Sequence, residues 1–370
     1  AGRAGDHGDE LADGSAADDH GRLARRQPRT THVVHRDGER LDERGVLEGD
    51  ALGQRHHERR GHGPLLLERA GRRRLRSAPK IRPHVVRHID ALDSPDFSKR
   101  VREMDEAGVD LQLICQGAGV YADQLPPEQA LEIVRMSNNV LAERLAGYKD
   151  RLMGVTALSL KNIAASVAEI ERTAKQGFRA VLLYPHVDGK MLVDTPEMDP
   201  IFAKISELNL PIFLHGAGTA QDPSLARLED GGAGVAYAVL SDGEVAECCL
   251  RMIASGLFDR YPNIKIVIRS SGGGIPLLLH RFFWKHKGPN GERRYSEIFL
   301  EHFLIDCASS DDRTLSFLID KMGENNMVFG SDYCGGLDRL NRSFNAILAQ
   351  PNPDHIKGFM EKNSRQLLHI

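Results

Sequence analysis

The first 79 residues contain no lysine, isoleucine, phenylalanine, tyrosine, tryptophan, asparagine, methionine or cysteine, while arginine, glycine, alanine, aspartate, glutamate and histidine crowd them. A stretch so poor in large apolar side chains cannot bury enough surface to offset its conformational entropy. Residues 1–80 are therefore expected to be a low-complexity, disordered or irregular segment, or the product of GC-rich DNA translated out of frame, because the missing amino acids mostly have AT-rich codons. A basic nucleic-acid arm is the least favoured reading, since its arginines alternate with acidic residues that cancel most of the charge such an arm needs. Its histidines (His32, His35, His56, His57 and His62) lack a rigid element that would hold a metal.

Other absences narrow the function classes. The five cysteines (Cys115, Cys248, Cys249, Cys307 and Cys334) include no CxxC spacing, so free thiols in a reducing compartment are expected. No apolar run approaches the roughly 20 residues of a membrane span, and no signal-peptide h-region precedes the first charged residues. A net charge of −3 gives no global field for nucleic acid or an anionic membrane. Gly272–Gly274 has neither a Walker lysine nor a G-x-G-x-x-G pattern, so a nucleotide cradle is discounted. A soluble cytoplasmic protein is expected, with no nucleic-acid or membrane partner.

What is present begins near Lys80. Residues 81–370 alternate short apolar runs with amphipathic stretches. Strands are expected at Val109–Cys115, Leu152–Leu158, Arg179–Tyr184, Leu210–His215, Ile264–Ile268, Phe303–Cys307 and Met327–Phe329. Helices are expected at Asp96–Ala107, from an opening at Pro126-Pro127 on through Ala130, Ile133, Val134, Leu141 and Leu145, at Asn162–Gln176, Pro200–Leu208, Glu244–Phe258, Pro276–Lys287, Asp312–Met322, Asp338–Leu348 and Asp354–Leu367. Seven strands separated by helices point to an α/β fold, a (β/α)8 TIM-like barrel whose first strand is missing or corrupted.

Two strand ends carry ligand-type side chains. Leu210–His215 closes on an imidazole and runs into Gly216. Met327–Phe329 is followed by Gly330, Ser331 and Asp332, a carboxylate at a strand-end loop, where barrel enzymes keep their chemistry. Imidazole and carboxylate together suit a divalent metal.

Three segments, Leu210–His215, Phe258–Pro276 and Val328–Tyr333, together with Met104–Asp110, resemble the amidohydrolase-related metalloenzymes of the aminocarboxymuconate semialdehyde decarboxylase type. The resemblance runs from about Asp96 to the C-terminus. It implies a barrel with one divalent metal ion, zinc first and manganese as the alternative, acting on a small unsaturated or aromatic carboxylic acid. It implies His215 and Asp332 as metal ligands, with Asp332 also moving a proton. Ser270 falls where many relatives carry a water-activating histidine, and a neutral hydroxyl cannot take over that proton. Arg281 falls where relatives bind the substrate carboxylate, often across a subunit boundary, which implies a homodimer or higher homo-oligomer. Relatives have a His-x-His pair on the first strand. This chain has none, and His84 and His88 are the nearest substitutes.

His186, at another strand end, is a further candidate for substrate contact. Phe282, Phe283 and Trp284 are expected to pack or to form an interface, while Cys248, Cys249 and Cys334 are expected to pack. The loop from Ala217 to Asp242 carries no readable substrate code. The expected activity is decarboxylation; hydrolysis or hydration on the same barrel, or an inactive homologue, are the alternatives.

Overall fold

The structure is a computed structural model. It describes residues 97–115, 122, 125–187, 190–216, 239, 241–289, 291–308, 310–333 and 337–370, with side chains omitted for 337–340. The expected tail over 1–80, His84, His88, Cys334 and most of the Ala217–Asp242 loop lie outside the described residues.

A parallel sheet of seven strands forms the centre. In chain order its strands are β1 (Gln112–Ile114), β2 (Leu152–Thr156), β3 (Ala180–Leu183), β6 (Ile212–Leu214), β7 (Ile266–Ile268), β10 (Phe303–Asp306) and β11 (Met327–Val328), and each pairs with the next. The seven expected strands are all present, each shorter than the apolar run that announced it. Among the described residues β1 and β11 are the two edges of the sheet, so an eighth strand is not among them.

Helices connect the strands: α1 (Phe97–Ala107), α2 (Pro127–Leu145), α3 (Ile163–Lys175), α4 (Asp199–Glu207), α5 (Ser241–Ala254), α6 (Leu257–Arg260), α7 (Ile275–Leu278), α8 (Tyr295–His302), α9 (Asp312–Met322), α10 (Leu337–Leu348) and α11 (Pro353–Leu368). Their starts follow local chemistry. Asn162 accepts from the Ala165 N–H, Asp311 from the Thr314 N–H and Asn352 from the His355 N–H, each capping a helix whose first amides have no intrahelical partner.

Two apolar layers sandwich the strands. Leu182, Phe213, Val267, Leu304 and Val328 belong to clusters on one face, with Val155 and Ala180. Alternate residues Leu183, Leu214, Ile268 and Ile305 join Ile201, Phe202, Val245, Met252 and Leu315 from the helices in the main core. Burial on both faces explains why these strands read as unbroken apolar runs.

The helix expected over Pro276–Lys287 is corrected. Helix α7 ends at Leu278, a single 3-10 turn spans Leu279–Arg281, and the chain enters an antiparallel hairpin, β8 (Lys285–Gly288) with β9 (Gly291–Arg294). The hairpin is held from outside its own sequence. His286 Nε2 meets Asp259 Oδ2 at 2.5 Å, and a Cβ on Gly288 would lie 2.6 Å from the same carboxylate. A second hairpin, β4 (His186–Val187) with β5 (Lys190–Met191), and helix α8 were not expected either.

Past the end of β2 a side chain continues the ladder. Asn138, fully buried on α2, accepts from the Ala157 N–H at 3.0 Å and donates to the Ala157 carbonyl at 3.0 Å and to Glu169 Oε1 at 2.8 Å. Burial alone would raise the Glu169 carboxyl, but hydrogen bonds from Arg172 and Asn138 outweigh it and hold the group below its ordinary range. Asn138→Ala leaves the two Ala157 groups and one carboxylate bond unmatched. At about 1 kcal/mol for each lost bond, a destabilisation of about 2–4 kcal/mol is expected in urea unfolding. A change below 0.5 kcal/mol would show that the network contributes nothing.

Candidate active site

Strand register builds the site. Leu183 aligns with Leu214, Leu214 with Ile268, and Ile268 with Ile305. One residue further on, Tyr184, His215, Arg269 and Asp306 form the next cross-strand row, and Asp306 aligns with Val328. Side chains alternate along a strand, so this row shares the face of Leu182, Phe213, Val267 and Leu304. It caps the inner apolar layer with one phenol, one imidazole, one guanidinium and one carboxylate, at the C-terminal ends of the strands.

His215 is fixed from three sides. Its backbone N–H donates to the Leu183 carbonyl at 3.0 Å. Its ring meets Tyr184 edge-on with centroids 5.6 Å apart. Its Nδ1 lies 2.7 Å from the Gly216 carbonyl, an acceptor only, so Nδ1 carries the proton and the neutral ring has its lone pair at Nε2. Gly216 permits this, because a Cβ there would sit 2.1 Å from Ser241 Oγ.

Asp306 ends β10. Its Oδ1 accepts from the Ser271 and Ala308 N–H groups at 3.2 and 3.1 Å. Burial, outweighing those bonds and reinforced by the Asp332 charge, pushes its carboxyl up to about 6. A Cβ on Gly330 would lie 2.6 Å from Asp306 Cβ, so the last turn of chain before Asp332 must be glycine. Asp332 itself is solvent-accessible and has φ of 47°. Helix α10 begins only at Leu337, so Asp332 is not the residue that precedes it. The next residue anchors the loop: the Tyr333 hydroxyl bonds Glu103, and the Arg100 guanidinium stacks 4.1 Å above the Tyr333 ring.

The turn after β7 is unusual. Ser270, Ser271, Gly272 and Gly273 all have positive φ (53°, 62°, 76° and 50°), a conformation that non-glycine residues adopt at an energetic cost. Ser271 Oγ stabilises it through the Ala308 carbonyl at 3.0 Å and Ser310 Oγ at 2.6 Å. Ser270 starts this turn, one residue out of phase with the inner row, and its Oγ accepts from Arg269 Nη1 at 2.8 Å. No group positioned to take its proton is recorded among the described residues.

His186 lies at the start of β4, its Nδ1 buried and 3.9 Å from Glu244 Oε2 of α5. Arg281 is exposed at the end of the 3-10 turn, not on a helix as expected from sequence. Phe283 and Trp284 stack with centroids 4.5 Å apart and are largely exposed, whereas Phe282 is buried. Cys248 and Cys249 are fully buried in the core, which pushes both thiols up.

Arg269, Asp306, Ser271 and Tyr184 did not emerge from sequence reasoning. The signal for the first two was parity: each stands two residues beyond an inward-facing apolar residue, as His215 does.

The donors suit a divalent cation in kind, with an imidazole lone pair at His215 and mutually repelling carboxylates at Asp306 and Asp332 that a cation would stabilise. They fall short in number. Among the described residues no group of three or more His, Cys, Asp or Glu is arranged to hold a metal ion.

Residues 84–370 match the profile of the family described as Amidohydrolase. Gamma-resorcylate decarboxylase of Rhodococcus jostii is 30% identical over 253 residues, spanning 63% of this chain and 76% of that protein. The enzyme of that name from Rhizobium sp. is 29% identical over 288 residues, spanning 73% and 86%. A crystal structure of 2,6-dihydroxybenzoate decarboxylase in complex with 2,6-dihydroxybenzoate superimposes with a TM-score of 0.64 at 26% identity, covering 73% of this chain and 87% of that one. A dihydroxybenzoic acid decarboxylase from Polaromonas sp., solved with bound manganese and 2-nitroresorcinol, superimposes with a TM-score of 0.63 at 26% identity, covering 73% and 85%. The parallel strands, the ligand-type side chains at their C-terminal ends and the match over residues 84–370 have one meaning: the chain belongs to the amidohydrolase family.

Proposed function

We propose that this protein is a metal-dependent carboxy-lyase that removes CO2 from a small aromatic carboxylic acid, of the kind its dihydroxybenzoate-acting relatives take. The observation that carries this reading is the inner row of Tyr184, His215, Arg269 and Asp306, with Asp332 beyond it, on a family scaffold whose similar members are decarboxylases. His215 and Asp332 would hold one divalent ion, manganese by the precedent of the Polaromonas protein, zinc being equally compatible with nitrogen and oxygen donors. When bound, that ion supplies positive charge for the substrate's anionic oxygens. Residues 81–370 would constitute the catalytic domain.

The chain's own groups divide the work. Tyr184 and the apolar layer beneath the row exclude water and give the ring a surface. Breaking the carbon–carboxylate bond leaves its electron pair on the ring carbon, and Asp332, exposed to solvent, would take up a proton from it and pass that proton to this carbon. His186 and Arg281 stand as outer substrate contacts, with the His186 Nδ1 3.9 Å from Glu244 Oε2. Ser270 spends its hydroxyl on Arg269, which supports decarboxylation over water activation. The exposed Leu277, Phe283 and Trp284 beside Arg281 support a homo-oligomer, and the free thiols of Cys248, Cys249 and Cys307 are in keeping with the cytoplasm.

The test is CO2 release from 2,6-dihydroxybenzoate by the manganese-loaded protein. Turnover that a chelator abolishes and added manganese restores is expected. Metal binding without CO2 release from any hydroxylated benzoate would refute the reading.

A further inference from the structure

We infer that Tyr333 is a positioning residue: clasped by Arg100 and Glu103 of α1, it ties the loop that carries Asp332 across the two edges of the sheet and fixes where the Asp332 carboxylate stands. Its effect on catalysis rests on the carboxy-lyase reading above; the clasp itself does not.

The need for a tie comes from topology. Strand β1 pairs with β2 and β11 with β10, and among the described residues no strand joins β1 to β11. Strand β11 is two residues long, so a single short neighbour sets its direction. The loop beyond it is held on either side of Asp332. Before it, the Phe329 ring lies 4.6 Å from that of Phe344 on α10, and the Gly330 carbonyl accepts from Cys307 Sγ at 3.6 Å. After it, Tyr333 is gripped twice. Its hydroxyl donates to Glu103 Oε2, and the Arg100 guanidinium stacks 4.1 Å above its ring. Arg100 is buried, and its Nη1 donates at 2.8 Å to Oε1 of Gln112, the first residue of β1. One edge strand is thereby joined through Arg100 to the loop that leaves the other, and α10 packs on α1 across the same gap.

The chemistry of the grip is specific. A phenol donating to a carboxylate makes a charge-assisted bond, and a cation over the ring face adds to the hold. Lys99 lies 3.4 Å from Glu103 Oε1, so each oxygen of that carboxylate has its own partner. Asp332, one residue before the grip, is exposed and has φ of 47°, a left-handed pose that residues other than glycine hold at a cost. A loop released at Tyr333 would relax away from that pose. The carboxylate would then stand wrongly for the proton it passes, and a displacement of about 1 Å is enough to slow a reaction about 100-fold.

Steady-state CO2 release and hydrogen exchange of the full-length, manganese-loaded protein test this. Tyr333→Phe keeps the ring beneath Arg100 and deletes the hydroxyl. Its kcat is expected to fall about 10- to 100-fold with KM within about threefold of wild type, while the melting temperature drops by no more than about 3 °C. Glu103→Ala should match it, and the double variant should be no worse than either single one. Glu103→Gln, whose amide oxygen still accepts, should retain at least about a third of wild-type kcat. Exchange of the Ser331–Tyr333 amides should accelerate at least about tenfold in Tyr333→Phe and little in Glu103→Gln. A packing role alone would lower the melting temperature and spare kcat. Unchanged kcat or unchanged exchange in Tyr333→Phe overturns the inference. Should Tyr333→Phe fail to fold, Glu103→Ala is read by the same criteria. Accelerated exchange in a protein that releases no CO2 keeps the clasp and defeats the lyase; CO2 release with kcat unaltered in Tyr333→Phe does the reverse.

Discussion

Asp332→Asn is expected to lower the rate of CO2 release about 1000-fold, equivalent to ~4 kcal/mol of transition-state stabilisation. The substitution removes the only acidic proton carrier at that position and replaces an anionic metal ligand by a neutral amide. It should leave the fold intact. Asp332 is exposed, and its φ of 47° lies in the left-handed region that asparagine tolerates better than most residues. Thermal melting of the metal-free variant should therefore match wild type, while metal content after dialysis falls. A variant that releases CO2 within tenfold of wild type would move both roles to another residue, with Asp306, whose carboxyl feels the Asp332 charge, the candidate.

Gly216→Ala is expected to damage stability and activity together. The added Cβ would meet Ser241 Oγ at 2.1 Å and the Ser241 carbonyl oxygen at 2.6 Å, and the backbone oxygen cannot rotate away. Either α5 or the end of β6 must shift, and overpacking of this kind typically costs about 1–3 kcal/mol. Both movements disturb the row: α5 carries the hydroxyl that orients Arg269, and Gly216 supplies the carbonyl that fixes the His215 tautomer. Activity should fall more than tenfold, and the melting temperature with it. Gly147→Ala, with nothing within 4 Å of its Cβ, serves as the control and should be close to neutral. Equal behaviour of the two variants would show that the close approach at Gly216 is unimportant.

The alternation of apolar runs with amphipathic stretches made the parallel barrel-like sheet legible, and α9 was read to the residue at Asp312–Met322. The strand ends at His215 and near Asp332 were legible for the same reason, since each apolar run stops at a ligand-type side chain followed by glycine or a loop. The hairpin β8–β9 was not. Phe282–Trp284 is rich in residues that favour strands, and pairing with β9, together with Asp259, 27 residues away at His286, holds Lys285–Gly288 extended. Arg281 lost its expected helix by the same route.

The sequence by itself determined which segments form the parallel sheet, that they are buried on both faces, and that a histidine and an aspartate follow two of them, because burial and periodicity are written in consecutive residues. Only the tertiary structure decided which residues share the mouth. Register between neighbouring strands aligned Arg269 with His215 and Asp306, turned Ser270 out of that row, and set the Asp306 carboxyl against Gly330 and within the field of Asp332. Register pairs segments tens of residues apart, so the hydrophobic pattern of one strand tells which face a residue takes but not which residue of the neighbouring strand it meets.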